Sequence, residues 1–288
     1  MMRIAAARVI ARRRLLETFI SPGFYIALTI GLLLGYFLVA GFTGTIDSSG
    51  FNLELNPVYD LITRSLQGAF GLTFVHQLFA EGPFLFALYI SFIPVLLYLS
   101  VSSVFSFGLE KKVGAIELLA YGPADGTSYF LASYIKDVLL TVLAMLILFL
   151  FMGIAAVINN LLLGPMFFYS MLLIFIISLS IYAYGVLASV LTNYAGSAIA
   201  LFIGAMLFFL FIIMGAFVIV SRYVQSLSNV LAWIIKWLSP FYYWDLGLRA
   251  VGAGNTLFFL LSLLILLLLS GLILFISHLS IKARGVRG

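Results

Sequence analysis

Residues 260–269 comprise nine leucine or isoleucine side chains and one serine, and this unbroken apolarity is the strongest constraint on what the chain can fold into. A lipid-spanning β-strand alternates lipid-facing and lumen-facing residues, so such a run excludes an outer-membrane barrel and leaves a helix. It is one of six stretches long enough to cross a bilayer core of about 30 Å as helices of about 20 residues. The others complete the set 22–42, 84–108, 134–158, 166–191, 196–221 and 256–279. With 64% hydrophobic and 9% charged residues the whole chain reads as an integral membrane protein. The expected fold is an all-α bundle of six transmembrane helices forming a single domain over residues 22–288. An interfacial helix precedes it at residues 1–21, where Arg3, Arg8, Arg12, Arg13 and Arg14 give a basic face before Ser21-Pro22-Gly23 breaks the helix.

Lysine and arginine set the expected orientation. The N-terminal arginines, Lys111, Lys112 and Lys136 in the second connection, and Lys282, Arg284 and Arg287 in the tail share one side under a six-span reading. Only Arg64, Arg222, Lys236 and Arg249 fall on the other. Both termini are therefore expected in the cytoplasm, with the chain multi-pass in a bacterial-type inner membrane. The net charge of +5 follows from this asymmetry and gives no reason to expect nucleic acid as a partner; basic juxtamembrane residues read anionic headgroups of the lipid bilayer. The run 24–42 is too long for a signal-peptide core and reads as a retained first span. Zero cysteines exclude disulfides and thiol chemistry.

Between the first two spans lie about forty residues, with a short helix expected over 58–74. The connection 223–255 places Leu227, Leu231, Ile234 and Leu238 on one helical face, with Trp233 and Trp237 four apart. Ser239-Pro240 breaks it, and Phe241-Tyr242-Tyr243-Trp244 supplies aromatic side chains suited to headgroup level. An external re-entrant or interfacial helical hairpin is expected there, with Trp233, Trp237, Pro240, Tyr243 and Trp244 as its marker residues.

No phosphate-binding loop of the G-x-x-x-x-G-K-[ST] type, no H-E-x-x-H and no G-x-S-x-G occurs, so no catalytic residues, cofactor or metal are expected in this chain. The spans lack ionisable residues at their centres, Lys136 and Asp137 being placed near a span end, which disfavours proton-relay transport. Residues 109–125 carry the remaining signal. As a helix they align Glu110, Gly114, Glu117 and Tyr121 on a polar face opposite Val113, Ile116 and Ala120, and Pro123 stops the helix. Gly114 costs about 1 kcal/mol relative to alanine in a helix interior, so close approach of a partner backbone is one reason for it. A solvated loop with two surface acids is the other reading of the same spacing.

Glu110, Gly114, Ala115, Glu117, Leu119 and Pro123 resemble the E-x-x-x-G-T-x-E-x-L-and-Pro pattern that follows the second span in permease subunits of type-2 ABC exporters. Leu238-Ser239-Pro240-Phe241-Tyr242-Tyr243-Trp244, with Arg249 after it, resembles the Leu-Ser-Pro stretch ahead of their last span. The nearest branch is that of gliding-motility and nitrous-oxide-reductase-maturation permeases. Ala115 stands where threonine is usual, Tyr243 where histidine is common, and no glycine follows Arg249. The resemblance implies that Glu110, Val113, Gly114, Glu117, Leu118, Tyr121 and Pro123 form a coupling helix docked on a separate nucleotide-binding ATPase subunit. It also implies two ATPase copies, which bind ATP and Mg, and a second permease chain, identical or related.

Two residue patterns fit such a dimer. Ala27, Gly31 and Gly35 form a small-residue stripe suited to dimer contact or to packing within the chain. Ser91, Tyr98, Ser102 and Ser106 share a face of the second span, a translocation surface or a set of hydroxyls bonded to neighbouring backbone. Met206 and Met214 on the fifth span extend the candidate route for a hydrophobic or amphiphilic cargo, an ordinary apolar core being the other explanation. A non-transporting membrane scaffold is the alternative function. An intramembrane lipid-modifying enzyme is a third, requiring His76, Asp60 and Glu81 to meet around an external pocket.

Overall fold

A computed structural model describes residues 4–284 apart from 48–49, 53, 55, 71, 80, 113–125, 212–233 and 235–236. The described chain is a helical bundle with one two-residue β-hairpin, β1 (Ile46–Asp47) against β2 (Gly50–Phe51). Helix α1 (Ile4–Ile20) precedes α2 (Pro22–Phe42), and the short helices α3 (Pro57–Phe70) and α4 (Leu72–Phe79) follow the hairpin. Then come α5 (Phe84–Lys112), α6 (Gly126–Ile158), α7 (Pro165–Leu191), α8 (Ala195–Phe211), α9 (Pro240–Gly252) and α10 (Thr256–Arg284). Five of these, α2, α5, α6, α7 and α10, are long and apolar enough to cross a membrane. The protein is a multi-pass membrane protein.

The expected boundaries hold closely where proline punctuates the chain. Pro22, Pro165 and Pro240 each sit in the first turn of their helix, where a missing N–H costs nothing. Ser239 caps α9 by accepting a hydrogen bond from the Tyr242 backbone N–H at 3.3 Å. The segment expected as one helix over 58–74 is divided between α3 and α4, and α6 begins eight residues before the span expected at 134. The fifth span, expected over 196–221, begins as α8, and its continuation beyond 211 lies outside the described residues.

Helix α7 is the centre of the bundle, with buried side chains around its whole circumference and α5, α6, α8, α9 and α10 packed on it. It is tied to α10 by Ser180, whose Oγ lies 3.0 Å from the Leu266 carbonyl and 2.9 Å from Ser270 Oγ. Tyr59 of α3 pins the connection after α2: its ring packs between Phe42 and Phe79, and its hydroxyl donates to the Leu38 carbonyl. Burial pushes that hydroxyl above the ordinary tyrosine range, so it stays a donor throughout the physiological window.

Glu81 fastens the same end of the bundle to α7. Its Oε2 accepts the Met166 N–H at 2.8 Å, placing a carboxylate on a helix N-terminus, where the backbone dipole favours negative charge. The helix N-cap is Gly164, and a Cβ there would stand 2.0 Å from Glu81 Oε2, so the close approach needs glycine. Glu81→Ala is expected to cost about 1 kcal/mol by leaving the Met166 N–H without its acceptor, readable as a lowered melting temperature in detergent.

Candidate functional site

The small-residue stripe of α2 is used inside the chain. Ala27, Gly31 and Gly35 are buried on the face of α2 that packs against α5. A Cβ on Gly31 would meet the Ser91 carbonyl oxygen at 2.2 Å, and one on Gly35 would meet Ser91 Oγ at 2.4 Å and Met152 Cε at 2.7 Å. The stripe is thus engaged in packing within the chain, the second of its two expected uses: at Gly31 the backbones of α2 and α5 approach until nothing larger than hydrogen fits between them. It also removes Ser91 from the candidate translocation surface, since Ser91 is fully buried beneath the two glycines.

Tyr98 and Ser102 stay together. They line a groove along α5 with Leu97, Val101 and Phe105, of about 480 Å³. The Tyr98 ring also covers Gly23 at the start of α2. The side chain of Ser106 lies outside the described residues, as does Met214. Met206 packs, partly buried, against the core on α8.

Behind the Ser102 side of the groove lies a feature that sequence reading placed at a span end. Because α6 starts at Gly126, Lys136 and Asp137 stand ten and eleven residues into it, about 15 Å along its axis at 1.5 Å per residue. Both are enclosed, Lys136 being 2% exposed and Asp137 0%. Lys136 Nζ lies 3.0 Å from Asp137 Oδ1 and donates to Ser102 Oγ at 3.1 Å. Arg14 of α1 reaches the same place: buried itself, it stacks over the Tyr129 ring at 4.1 Å from the centroid and acts electrostatically on Asp137. The Ser103 hydroxyl approaches the carboxylate without a well-formed hydrogen bond.

Lys136 thus pairs with the Asp137 carboxylate while Arg14 of another helix acts on it electrostatically, and these attractions offset the cost of burying the charges. The arrangement can hold α1 against α6 and α6 against α5 at the end of the bundle where α5 ends and α6 begins. Ala7, Ala11, Arg14 and Thr18, at i, i+4, i+7 and i+11, form the buried face of α1, so Arg14, expected on the basic face with the other N-terminal arginines, turns inward instead.

Of the expected coupling residues, Glu110 falls in the last turns of α5, its side chain outside the described residues. Val113, Gly114, Glu117, Leu118, Tyr121 and Pro123 also lie outside them, as does Trp233. Trp237 is 56% exposed, Pro240 and Tyr243 are buried in the core, and Trp244 is half-buried with its ring edge-on to Tyr89 at 5.5 Å. Tyr243 is therefore packed inside the protein.

The three acidic or histidine side chains that a lipid-modifying centre would need are separately engaged or exposed. Glu81 caps α7, Asp60 pairs with Arg64 at 2.7 Å, and His76 faces outward. Among the described residues no three His, Cys, Asp or Glu side chains group as a metal site. Comparison with protein-family models, with curated proteins and with solved structures returns no match.

Proposed function

We propose that the chain is the membrane-spanning permease subunit of an ATP-driven exporter. On this reading it crosses a bacterial-type inner membrane six times with both termini in the cytoplasm, and it works as a dimer on two ATPase subunits. The observation that carries the reading is the charged insert with Glu110, Gly114, Glu117 and Pro123, bounded by the end of α5 and the start of α6. Helix α1 lies beside the start of α6, where Arg14 stacks on Tyr129 only three residues in. A load applied to the insert would therefore be felt by two spans and the interface helix together.

The six-span count takes α8 as the beginning of the fifth crossing, which returns α10 to the side of α1. The external re-entrant hairpin then comprises the residues before Ser239 together with α9. Support for the second motif comes from Leu238-Ser239-Pro240, which starts α9 with a serine cap and seats Tyr243 in the core. The groove bearing Tyr98 and Ser102 is the part of the candidate translocation surface that remains accessible, and its aliphatic and aromatic walls suit an amphiphilic cargo. ATP and Mg would be bound by the partner.

The test is purification of the chain from its native host in mild detergent, with mass spectrometry of what accompanies it. A P-loop ATPase is expected, and Glu117→Arg should reduce its recovery about tenfold or more by reversing charge at the docking surface. Absence of any ATPase from a gentle purification, with the ATPase expressed, would defeat the reading in favour of a scaffold.

A further inference from the structure

Helix α1 turns Ala7, Ala11, Arg14 and Thr18 toward the bundle, and its two shoulders are partly buried, Leu15 and Phe19 on one side and Ile10 on the other. The side pointing away from the protein carries Val9, Leu16 and Ile20, at i, i+7 and i+11, which are 69%, 53% and 84% exposed. Exposed arginines border this aliphatic ridge on both sides. At about 100° per residue, Arg8 and Arg12 fall between the ridge and the Leu15 shoulder, and Arg13 falls between the ridge and the Ile10 shoulder.

The two borders differ in charge. Arg13 Nε is bonded to Glu17 Oε1 at 2.9 Å, which leaves that side locally neutral. Arg8 and Arg12 stand four residues apart and so are neighbours on the helix surface; Glu17 is the only acid in α1, and neither arginine is in an ion pair among the described residues. The level of the helix is fixed at two points. Ile20 stands two residues before Pro22, where the first apolar span begins, and Arg14 stacks on Tyr129, one residue after the start of the span in α6. The outer face of α1 is therefore level with the ends of two spans, at the boundary between hydrocarbon and headgroups.

We propose that the outer face of α1 docks on the adjoining bilayer leaflet, with Arg8 and Arg12 as the site that takes the phosphate of an anionic phospholipid. The ridge of Val9, Leu16 and Ile20 enters the acyl boundary, which removes three large aliphatic side chains from water. The arginine stems run along the ridge while their guanidinium groups reach the phosphates. Two arginines with no acid beside them match an anionic headgroup, and a guanidinium fork binds phosphate oxygens in pairs. Arg14 takes no part, since it is turned toward Tyr129 and Asp137 on the opposite face. The surface does not depend on the coupling assignment, so its test is independent of ATPase recovery.

The chain has no cysteine, so Leu16→Cys gives a unique attachment point for a bimane fluorophore, and Ile20→Cys gives a second if the first does not fold. The full chain is placed in phosphatidylcholine nanodiscs containing a small fraction of either phosphatidylglycerol or phosphatidylcholine with a nitroxide high on one acyl chain. Both lipids should quench the fluorophore, and the phosphatidylglycerol should do so about fivefold more effectively per molecule. Arg8→Gln with Arg12→Gln should abolish that preference while leaving quenching by phosphatidylcholine in place. Arg13→Gln with Glu17→Gln, which leaves the net charge unchanged, should retain it. A fluorophore quenched by neither lipid would mean that the ridge faces water or a second copy of the chain, and would overturn the proposal. Equal quenching by the two lipids, or a preference that survives the loss of Arg8 and Arg12, would overturn it as well.

Discussion

Replacing Asp137 by alanine is expected to lower the stability of the bundle by about 3–5 kcal/mol, because it strands the buried Lys136 ammonium and removes the negative charge that also acts on Arg14. Neither cation can recover water without opening the contact between α1 and α6. The loss should therefore appear first as exposure of α1, readable by proteolysis near Arg13 and Glu17 before global melting. The decisive comparison is with the double substitution Lys136→Met and Asp137→Leu, which removes both members of the pair. Burial of a well-packed apolar pair is often neutral or stabilising relative to an ion pair, so the double variant should melt above Asp137→Ala alone. If Asp137→Ala costs less than about 1 kcal/mol, the carboxylate is not the hub of this cluster.

The second large effect is expected at Gly31. Gly31→Val places a branched side chain where even a Cβ would stand 2.2 Å from the Ser91 carbonyl, a backbone atom that cannot rotate away. Separating α2 from α5 to make room should cost about 3 kcal/mol, the upper end for overpacking a close helix contact. Gly35→Ala should cost less, since the atoms its Cβ meets belong to the side chains of Ser91 and Met152, which can shift. Gly204→Ala in α8 is the control: nothing lies within 4 Å of its added Cβ, and removing a helix-interior glycine should be neutral or slightly stabilising. Thermal melting of the detergent-solubilised chain ranks the three, and size-exclusion with light scattering separates the alternative. A stripe that served dimerisation would lose the dimer at unchanged melting temperature, the opposite of the result expected here.

These two sites mark the limit of what periodicity reveals. The glycine spacing on the first span and the hydroxyl spacing on the second were both plain in the sequence, as was the break at Ser239-Pro240 that starts α9. What faces each stripe was not. In a soluble helix the polar side identifies water and the apolar side identifies the core, whereas here lipid is as apolar as the core and hydrophobicity does not distinguish the two. Tyr243 and Trp244 illustrate the point: adjacent aromatic residues suited equally to a headgroup layer and to packing, of which only Trp244 keeps partial exposure.

By itself, then, the sequence determined that the chain is a helical membrane protein, where its proline-punctuated helices begin, and which residues share a face. Each follows from local chemistry: the bilayer demands internally satisfied backbone, and proline fixes a helix start. Only the tertiary structure decided that Ser91 lies sealed under Gly31 and Gly35, and that Lys136 and Asp137 stand a full ten residues into α6 with Arg14 of another helix beside them. These depend on how far helices approach and in what rotation, which van der Waals fit and buried polar contacts set between residues distant in the chain.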